Sequence, residues 1–424
     1  MILSLLIALP AYAFKGSLQS NTQFFPSDLK APTQTLIPRI SLELEETQKL
    51  TKSWKYSFKG YGESNLATEG QPEKYFADLS EAFVEWKKPS LKARLGWNTL
   101  NWGVLDLYSP MDVVNQRIYF DPFNSQKRGA PMLELQWNPK SWGISAIYIP
   151  FQGRSLLPSS DSRWYPRQVL MNLKSDQGQL LLPQKVEYNV ASPVQLNNAL
   201  ENNFGFNVEK RWDEIDLHAI YFDGAAVSPS AQVVEQSTLI HFPPDAIYQG
   251  TGPITLHPLY YRTRTTGFGF TANTGSLIVR GESTYQSTLS PVSGQPFSSW
   301  TWQNGLGLEK NWEIGSGTLT QIIHYYRGQY PRSTDNLPTS SFRLFDDTLL
   351  LGGRISLSDD KFVYASAVYE FPQAGIFWTL GYQAKLKESL LWNISWRNIS
   401  AQKAGLLKTY AHNSHASMDL TYLF

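Results

Sequence analysis

The sequence contains no cysteine in 424 residues, so neither a disulfide framework nor a thiolate metal site can organise it. It has almost no surplus of either charge, since 37 lysines and arginines stand against 36 aspartates and glutamates. That balance gives no field for nucleic acid or for an anionic membrane surface. Histidine is down to six, at positions 218, 241, 257, 324, 412 and 415, which leaves little material for imidazole chemistry. Beyond the first residues, no apolar run approaches the roughly twenty residues that a spanning helix needs. Nucleotide-binding loops, zinc motifs and nucleic-acid modules are absent. No linker or charge block divides the chain, and one continuous architecture is the simpler expectation.

Aromatic residues, in contrast, make up 14% of the chain, with 14 Trp and 22 Tyr. Rings with one dry and one wet end favour membrane-water interfaces. The first thirteen residues, MILSLLIALPAYA, form an apolar run closed by Ala11-Tyr12-Ala13, the small-x-small pattern of a secretory cleavage site. They lack a basic leading segment, so either the start lies upstream or the signal is terse. Residues 1–13 are predicted to be a cleaved signal peptide and 14–424 a single exported domain. A TonB-dependent receptor would need a plug domain ahead of its barrel, and strand-like sequence from Phe14 leaves no room for one.

The dominant pattern has period two. In Gly275 to Gln286, Leu277, Val279 and Tyr285 share one face while Arg280, Glu282, Thr284 and Gln286 share the other. Successive side chains of a strand point to opposite faces, so such alternation predicts β-structure. The same pattern places strands near 15–25, 35–46, 53–63, 76–87, 91–100, 131–137, 142–150, 203–211 and 214–222. It continues near 258–271, 275–286, 301–311, 316–328, 348–358, 361–371, 375–386, 389–398 and 413–424. Short and long connections alternate between them, the long ones including 101–130, 151–202 and 223–257, with a short link near 372–374 as the exception. A soluble sandwich has no reason to sort its turns by length, whereas a transmembrane barrel has turns on one rim and loops on the other. The expected fold is all-β, a closed antiparallel up-and-down transmembrane barrel of about 18 strands, with 16 as the alternative.

The alternation also assigns faces. Trp54, Tyr56 and Phe58, then Ile215, Leu217 and Tyr221, then Trp392, Ile394 and Trp396 should meet lipid. Water in the lumen should meet the opposite set, and the candidate pore-lining residues are Lys55, Lys59, Glu81, Glu85, Lys92, Arg94, Asp216, His218, Arg280, Glu282, Arg354 and Arg397. Both signs occur, and ion pairing between neighbouring strands is preferred to a transverse field. Eighteen strands leave room for an aqueous passage. The connection 101–130 is the candidate constriction, through Asp112, Asn115, Arg117, Asp121 and Arg128; alternatively, Pro110, Asp112 and Asn115 shape turns and Arg128 pairs with a rim carboxylate. The connection from Gly153 to Asn202 is a candidate partial lid, and its LLPSSDSRWYPRQ stretch reads as irregular surface.

Two resemblances bear on this reading. The final ASMDLTYLF puts Phe424, Tyr422, Leu420, Met418 and Ala416 on one face and resembles the closing strand of bacterial outer-membrane barrels. For this chain the resemblance implies recognition by the barrel assembly machinery through Phe424, Tyr422 and Leu420. Leu95 to Phe151 resembles a segment of large porin-like outer-membrane families, including the domain-of-unknown-function 1302 group. The matching positions are Trp102-Gly103, Pro110, Asp112-Val113, Asn115 and Arg128-Gly129 with Pro131, while Ala77 to Trp86 resembles the preceding strand. This second resemblance covers about a fifth of the chain and implies an outer-membrane location and, loosely, a pore.

The expected function is therefore a porin-like channel in the outer membrane for passive diffusion or export of small polar solutes. No cofactor, metal or nucleic acid is expected, lipid surrounds the barrel, and the oligomeric state is open. The alternatives are a barrel enzyme of lipase or protease type and a barrel for docking or export of a surface polymer. His412-Asn413-Ser414-His415 and the pair Asp216 and His218 are the residues an enzyme would have to use. Adjacent strand residues point apart and cannot make a triad alone.

Overall fold

The period-two segments form eighteen strands in the computed structural model. It describes residues 14–26, 35–159, 161–165, 170–172, 179–181, 186–188, 194–196, 198–233, 237–241, 247–250, 254–289, 298–315, 317–331, 346–372, 374–403 and 406–424. The predicted signal peptide, residues 1–13, lies outside the described residues. In chain order the barrel strands are β1 (Lys15–Phe24), β2 (Leu36–Lys49), β3 (Trp54–Asn65), β4 (Tyr75–Lys87), β5 (Leu91–Asn98) and β6 (Ala130–Trp137). Next come β7 (Trp142–Phe151), β8 (Glu201–Arg211), β9 (Ile215–Ala225), β10 (Arg262–Thr274), β11 (Leu277–Thr288) and β12 (Trp300–Ile314). The last are β13 (Gly317–Gln329), β14 (Asp347–Ser358), β15 (Lys361–Glu370), β16 (Gly375–Lys387), β17 (Leu390–Ala401) and β18 (His415–Leu423).

Each strand pairs antiparallel with the next, and β18 pairs back onto β1 from Ser17↔Leu423 to Phe24↔Ala416. Closure leaves no row of unpaired backbone groups, which is the condition for β-structure inside hydrocarbon. The short turns gather on one rim. Two of them use a left-handed glycine, Gly275 at φ 75° and Gly315 at φ 60°, a conformation that a side chain would disfavour. One irregularity matters for the inner face. The register between β3 and β4 shifts at Lys59/Gly60, so that Lys59 faces Glu81 while Tyr61 faces Asp78. The extra residue, Ser80, is a bulge that turns two acids three positions apart to the same side.

The outer surface is apolar. Around its waist Leu42, Leu95, Leu133, Leu306, Ile323, Leu351, Leu380, Ile394 and Leu420 are all exposed. Aromatic rings bracket that waist. Trp54, Trp137, Trp142, Trp212 and Trp312 are exposed toward the short-turn rim, and Tyr75, Phe151, Tyr285, Trp302 and Phe371 toward the loop rim. Lys210 lies over the rings of Trp142 and Trp212 at 4.6 and 5.7 Å, its aliphatic stem on the apolar belt and its ammonium at the rim. Water cannot solvate so large a contiguous apolar band cheaply, whereas acyl chains can.

The inner face departs from expectation in one respect. Instead of being polar throughout, its loop-side half carries Met132, Ile147, Ile149, Ile220, Phe222, Leu350 and Val368, all buried. They face inward yet avoid water because the connection 101–130 lies against them. Its Trp102, Met111, Val113 and Val114, with Leu100 just ahead of it, complete one apolar cluster and its Leu105 another.

Candidate functional site

The short-turn half of the lumen is lined by ions. Glu85 on β4 receives Arg94 of β5 at 2.7 Å and Lys55 of β3 at 3.5 Å, and Arg94 reaches Glu134 of β6 at 3.3 Å. Lys59 pairs with Glu43 at 3.1 Å, Glu81 accepts the Ser57 hydroxyl at 3.3 Å, and Lys92 is half-buried beside this group. Across the barrel, Arg280 holds Glu309 at 2.6 Å and Asp106 at 3.2 Å. Arg354 stays exposed with its guanidinium 4.9 Å from the centre of the Phe362 ring. Asp216 and His218 share the inner face of β9, half-buried, opposite Arg211 and Glu209 of β8. These charges answer one another across adjacent strands, so the wall is polar without a single-sign field.

The connection 101–130 folds into this lumen and is fixed around its circumference. Glu282, on the inner face of β11, accepts the backbone N–H groups of Val104 at 2.5 Å, Leu105 at 2.8 Å and Met111 at 3.0 Å, and the Ser109 hydroxyl at 2.7 Å. The loop's N–H and hydroxyl donors form a cradle for an anion that the wall supplies. Glu282 thus faces the lumen but is covered by the loop, at 4% exposure.

Glycines on the inner wall make room for the loop side chains. A methyl group at Gly205 would lie 2.6 Å from the Trp102 ring, at Gly269 2.8 Å from the Met111 sulfur, and at Gly305 2.5 Å from Leu105. Further round, Phe123 stacks on Phe377 of β16 at 4.8 Å, and Asp121 pairs with Arg397 of β17 at 2.8 Å.

Within the loop, Asp112 is neutralised twice, by Arg117 at 2.5 Å and Lys127 at 2.6 Å. Asn115 is 2% exposed and lines nothing. Its amide nitrogen donates to the carbonyls of Asn98 and Arg128, and its oxygen accepts Leu100 N–H, tying the loop's entry to its exit. Arg128 turns away to Asp78 at 2.8 Å, a rim carboxylate.

A second layer covers the first on the loop side. Glu73, between β3 and β4, is fully buried. Its carboxylate accepts Ser159 N–H and hydroxyl, both at 3.1 Å, Ser162 hydroxyl at 3.0 Å, Asn65 amide at 2.8 Å and Arg39 guanidinium at 3.3 Å. Burial pushes its pKa above the ordinary carboxylate value, against the pull of Arg39 and the hydrogen bonds. The stretch around Trp164, expected as irregular surface, is instead packed. Trp164 is fully buried against Phe25, Phe123, Tyr410 and His415, and Tyr165 is 1% exposed. Asn413 donates its amide to the Arg163 carbonyl at 2.9 Å. A polar-looking segment is buried here because it reaches from the β7–β8 connection to β1 and the β17–β18 connection, a distance no local pattern reveals.

The residues an enzyme would need are engaged structurally. His415 is 2% exposed with Nδ1 2.8 Å from the Asn413 carbonyl, and Ser414 bonds Asn398 at 3.2 Å. No group of three or more His, Asp or Glu able to hold a metal occurs among the described residues. Leu420, Tyr422 and Phe424 are exposed on the outside, with the Phe424 ring covering Gly16 of β1.

Among solved structures, the chain is similar to a mutant of Rh. blastica porin at TM-score 0.44 and 11% identity, covering 97% of this chain and 99% of that one. It is similar to a triple mutant of Rhodopseudomonas blastica porin at TM-score 0.44 and 10% identity, with the same coverage. It is also similar to an engineered protein described for asymmetric conductivity, at TM-score 0.42 and 9% identity, again covering 97% and 99%. No family model and no curated protein matches the chain.

Proposed function

We propose that the chain is an outer-membrane channel for passive diffusion or export of small polar solutes, narrowed by the loop 101–130. The observation that carries the reading is the clamp on Glu282, which holds that loop inside a barrel whose lumen wall is charged and whose outer belt is apolar. A surface enzyme would instead need its reactive groups at the rim, and His415 and Ser414 are committed to packing there. The likeness of Leu95 to Phe151 to porin-like families, the 1302 group among them, points the same way. We assign Leu420, Tyr422 and Phe424 to engagement of the assembly machinery and the apolar belt to outer-membrane lipid. Purified protein in a planar lipid bilayer tests the reading. Stepwise conductance is expected, and a sealed bilayer accompanied by ester or peptide hydrolysis would refute it.

A further inference from the structure

On the loop side, above the in-folded connection, lies a cavity of about 720 Å³. That is the size of sites that enclose a small organic molecule. Its walls come from the connections β3–β4, β5–β6, β7–β8 and β9–β10, and they are chemically mixed in a particular way. Tyr165, Tyr260, Leu157 and Pro158 give apolar and aromatic surface. Arg128 and Arg154 give two guanidinium groups. Gln152, 5% exposed, stands in the wall with its side-chain oxygen sealed from the cavity and its nitrogen occupied by the Val114 carbonyl.

The two cations are differently placed. Arg128 spends its Nε on Asp78 and one terminal nitrogen on the Arg154 carbonyl at 2.6 Å. Arg154 is exposed and its side chain enters no ion pair among the described residues. Both line the cavity together with Tyr260. Burial raises the Tyr260 hydroxyl to about 12, and the positive charges of Arg154 and Arg128 are the leading influences opposing it.

A ligand matched to these walls has an anionic end for Arg154 and Arg128 and a flat or apolar body for the tyrosines and leucine. Planar bidentate recognition by guanidinium favours a carboxylate. Glu201, also on the wall, disfavours a second negative charge.

We infer that this cavity is a binding site for a small ring-bearing monocarboxylate. As an entry site for such solutes it rests on the channel reading above, whereas binding itself does not.

The test is equilibrium titration of the detergent-solubilised full chain with 4-hydroxybenzoate and with its neutral analogue 4-hydroxybenzamide. Wild type and Arg154→Gln are compared, with circular dichroism confirming that the variant remains a barrel. Saturable binding of the acid is expected, with affinity falling about tenfold or more for the amide, and again for the variant with the acid. Equal affinity for acid and amide, or wild-type affinity in Arg154→Gln, overturns the inference. Conductance is read on the same preparations. Stepwise conductance without acid binding removes the site and leaves the channel, and acid binding by a protein that never conducts supports the site and removes the channel.

Discussion

Asp121 lies 2.8 Å from the guanidinium of Arg397, a residue 276 positions away in the chain. The pair ties the far part of the loop 101–130 to β17, well round the ring from its root between β5 and β6, so the loop is fixed to the wall at more than one place. Arg397→Gln should free that end. The loop then gains motion while the strand ladder is untouched, and single-pore current is expected to become noisier with a higher mean. A steady current at the wild-type level would show that the bridge does not govern the passage.

Glu282 is the stronger fixing point because it answers backbone N–H groups that have no other partner in the loop. Glu282→Gln keeps the shape but loses charge-assisted bonds worth about 1.5–3 kcal/mol each. Proteolysis within 101–130 should accelerate while the global melting transition of the barrel moves little. Unaltered proteolysis would mean that the apolar packing of Trp102, Met111 and Leu105 suffices alone.

Gly305→Val tests that packing directly. The added side chain would overlap Leu105, and overpacking of this kind costs about 1–3 kcal/mol. Expulsion of the loop from the wall should raise conductance by a route independent of Glu282. If Gly305→Val and Glu282→Gln both leave conductance unchanged, the loop does not narrow the lumen.

The inside-out arrangement predicts an asymmetry between faces. Leu351→Arg places a charge among acyl chains at a cost of about 2–4 kcal/mol. Gln383→Lys, on the inner face of β16, places one in the polar lumen and should be nearly neutral. Denaturant unfolding in lipid vesicles measures both, and equal destabilisation would contradict the assignment of faces.

Glu73 predicts a pH effect outside the barrel wall. Its pKa in the folded protein is raised, chiefly by burial, so the folded state binds its proton more tightly than the unfolded state. Its stabilising contribution is then complete below the ordinary 4.5 and lost as pH rises through the folded value. Protection of the amides around Ser159 and Ser162, measured as exchange relative to the intrinsic rate at each pH, should therefore rise on acidification from neutral pH. Glu73→Gln, which mimics the protonated form, should remove most of that dependence. Lower protection in acid, relative to the intrinsic rate, would reverse the sign and discard the account.

The barrel was legible because its information is local. Leu277, Val279 and Tyr285 against Arg280 and Glu282 need only a dozen residues to declare two faces, and every predicted strand corresponds to one in the barrel. The filling of the lumen was less accessible. Asn115 resembles a lining residue in sequence, yet it is an internal tie, since its partners Asn98 and Arg128 are brought together only by the folded loop. Glu282 reads as one more inward acid, because the N–H groups that surround it come from more than 170 residues earlier. Gly205, Gly269 and Gly305 read as weak points in strands, and their purpose appears only when Trp102, Met111 and Leu105 are seen opposite. Burial of Trp164 likewise depends on contacts with Phe25 and Tyr410 from distant parts of the chain.

The pairing of β1 with β18 carries a further consequence for biogenesis. Gln19 bonds Asp419 across a separation of 400 residues, so this seam is the last that synthesis can supply. Until it zips, the nascent sheet carries two bare margins and a greasy exterior at once, the combination most prone to illicit pairing with other copies. Premature truncation before β18 should therefore yield aggregates rather than smaller barrels.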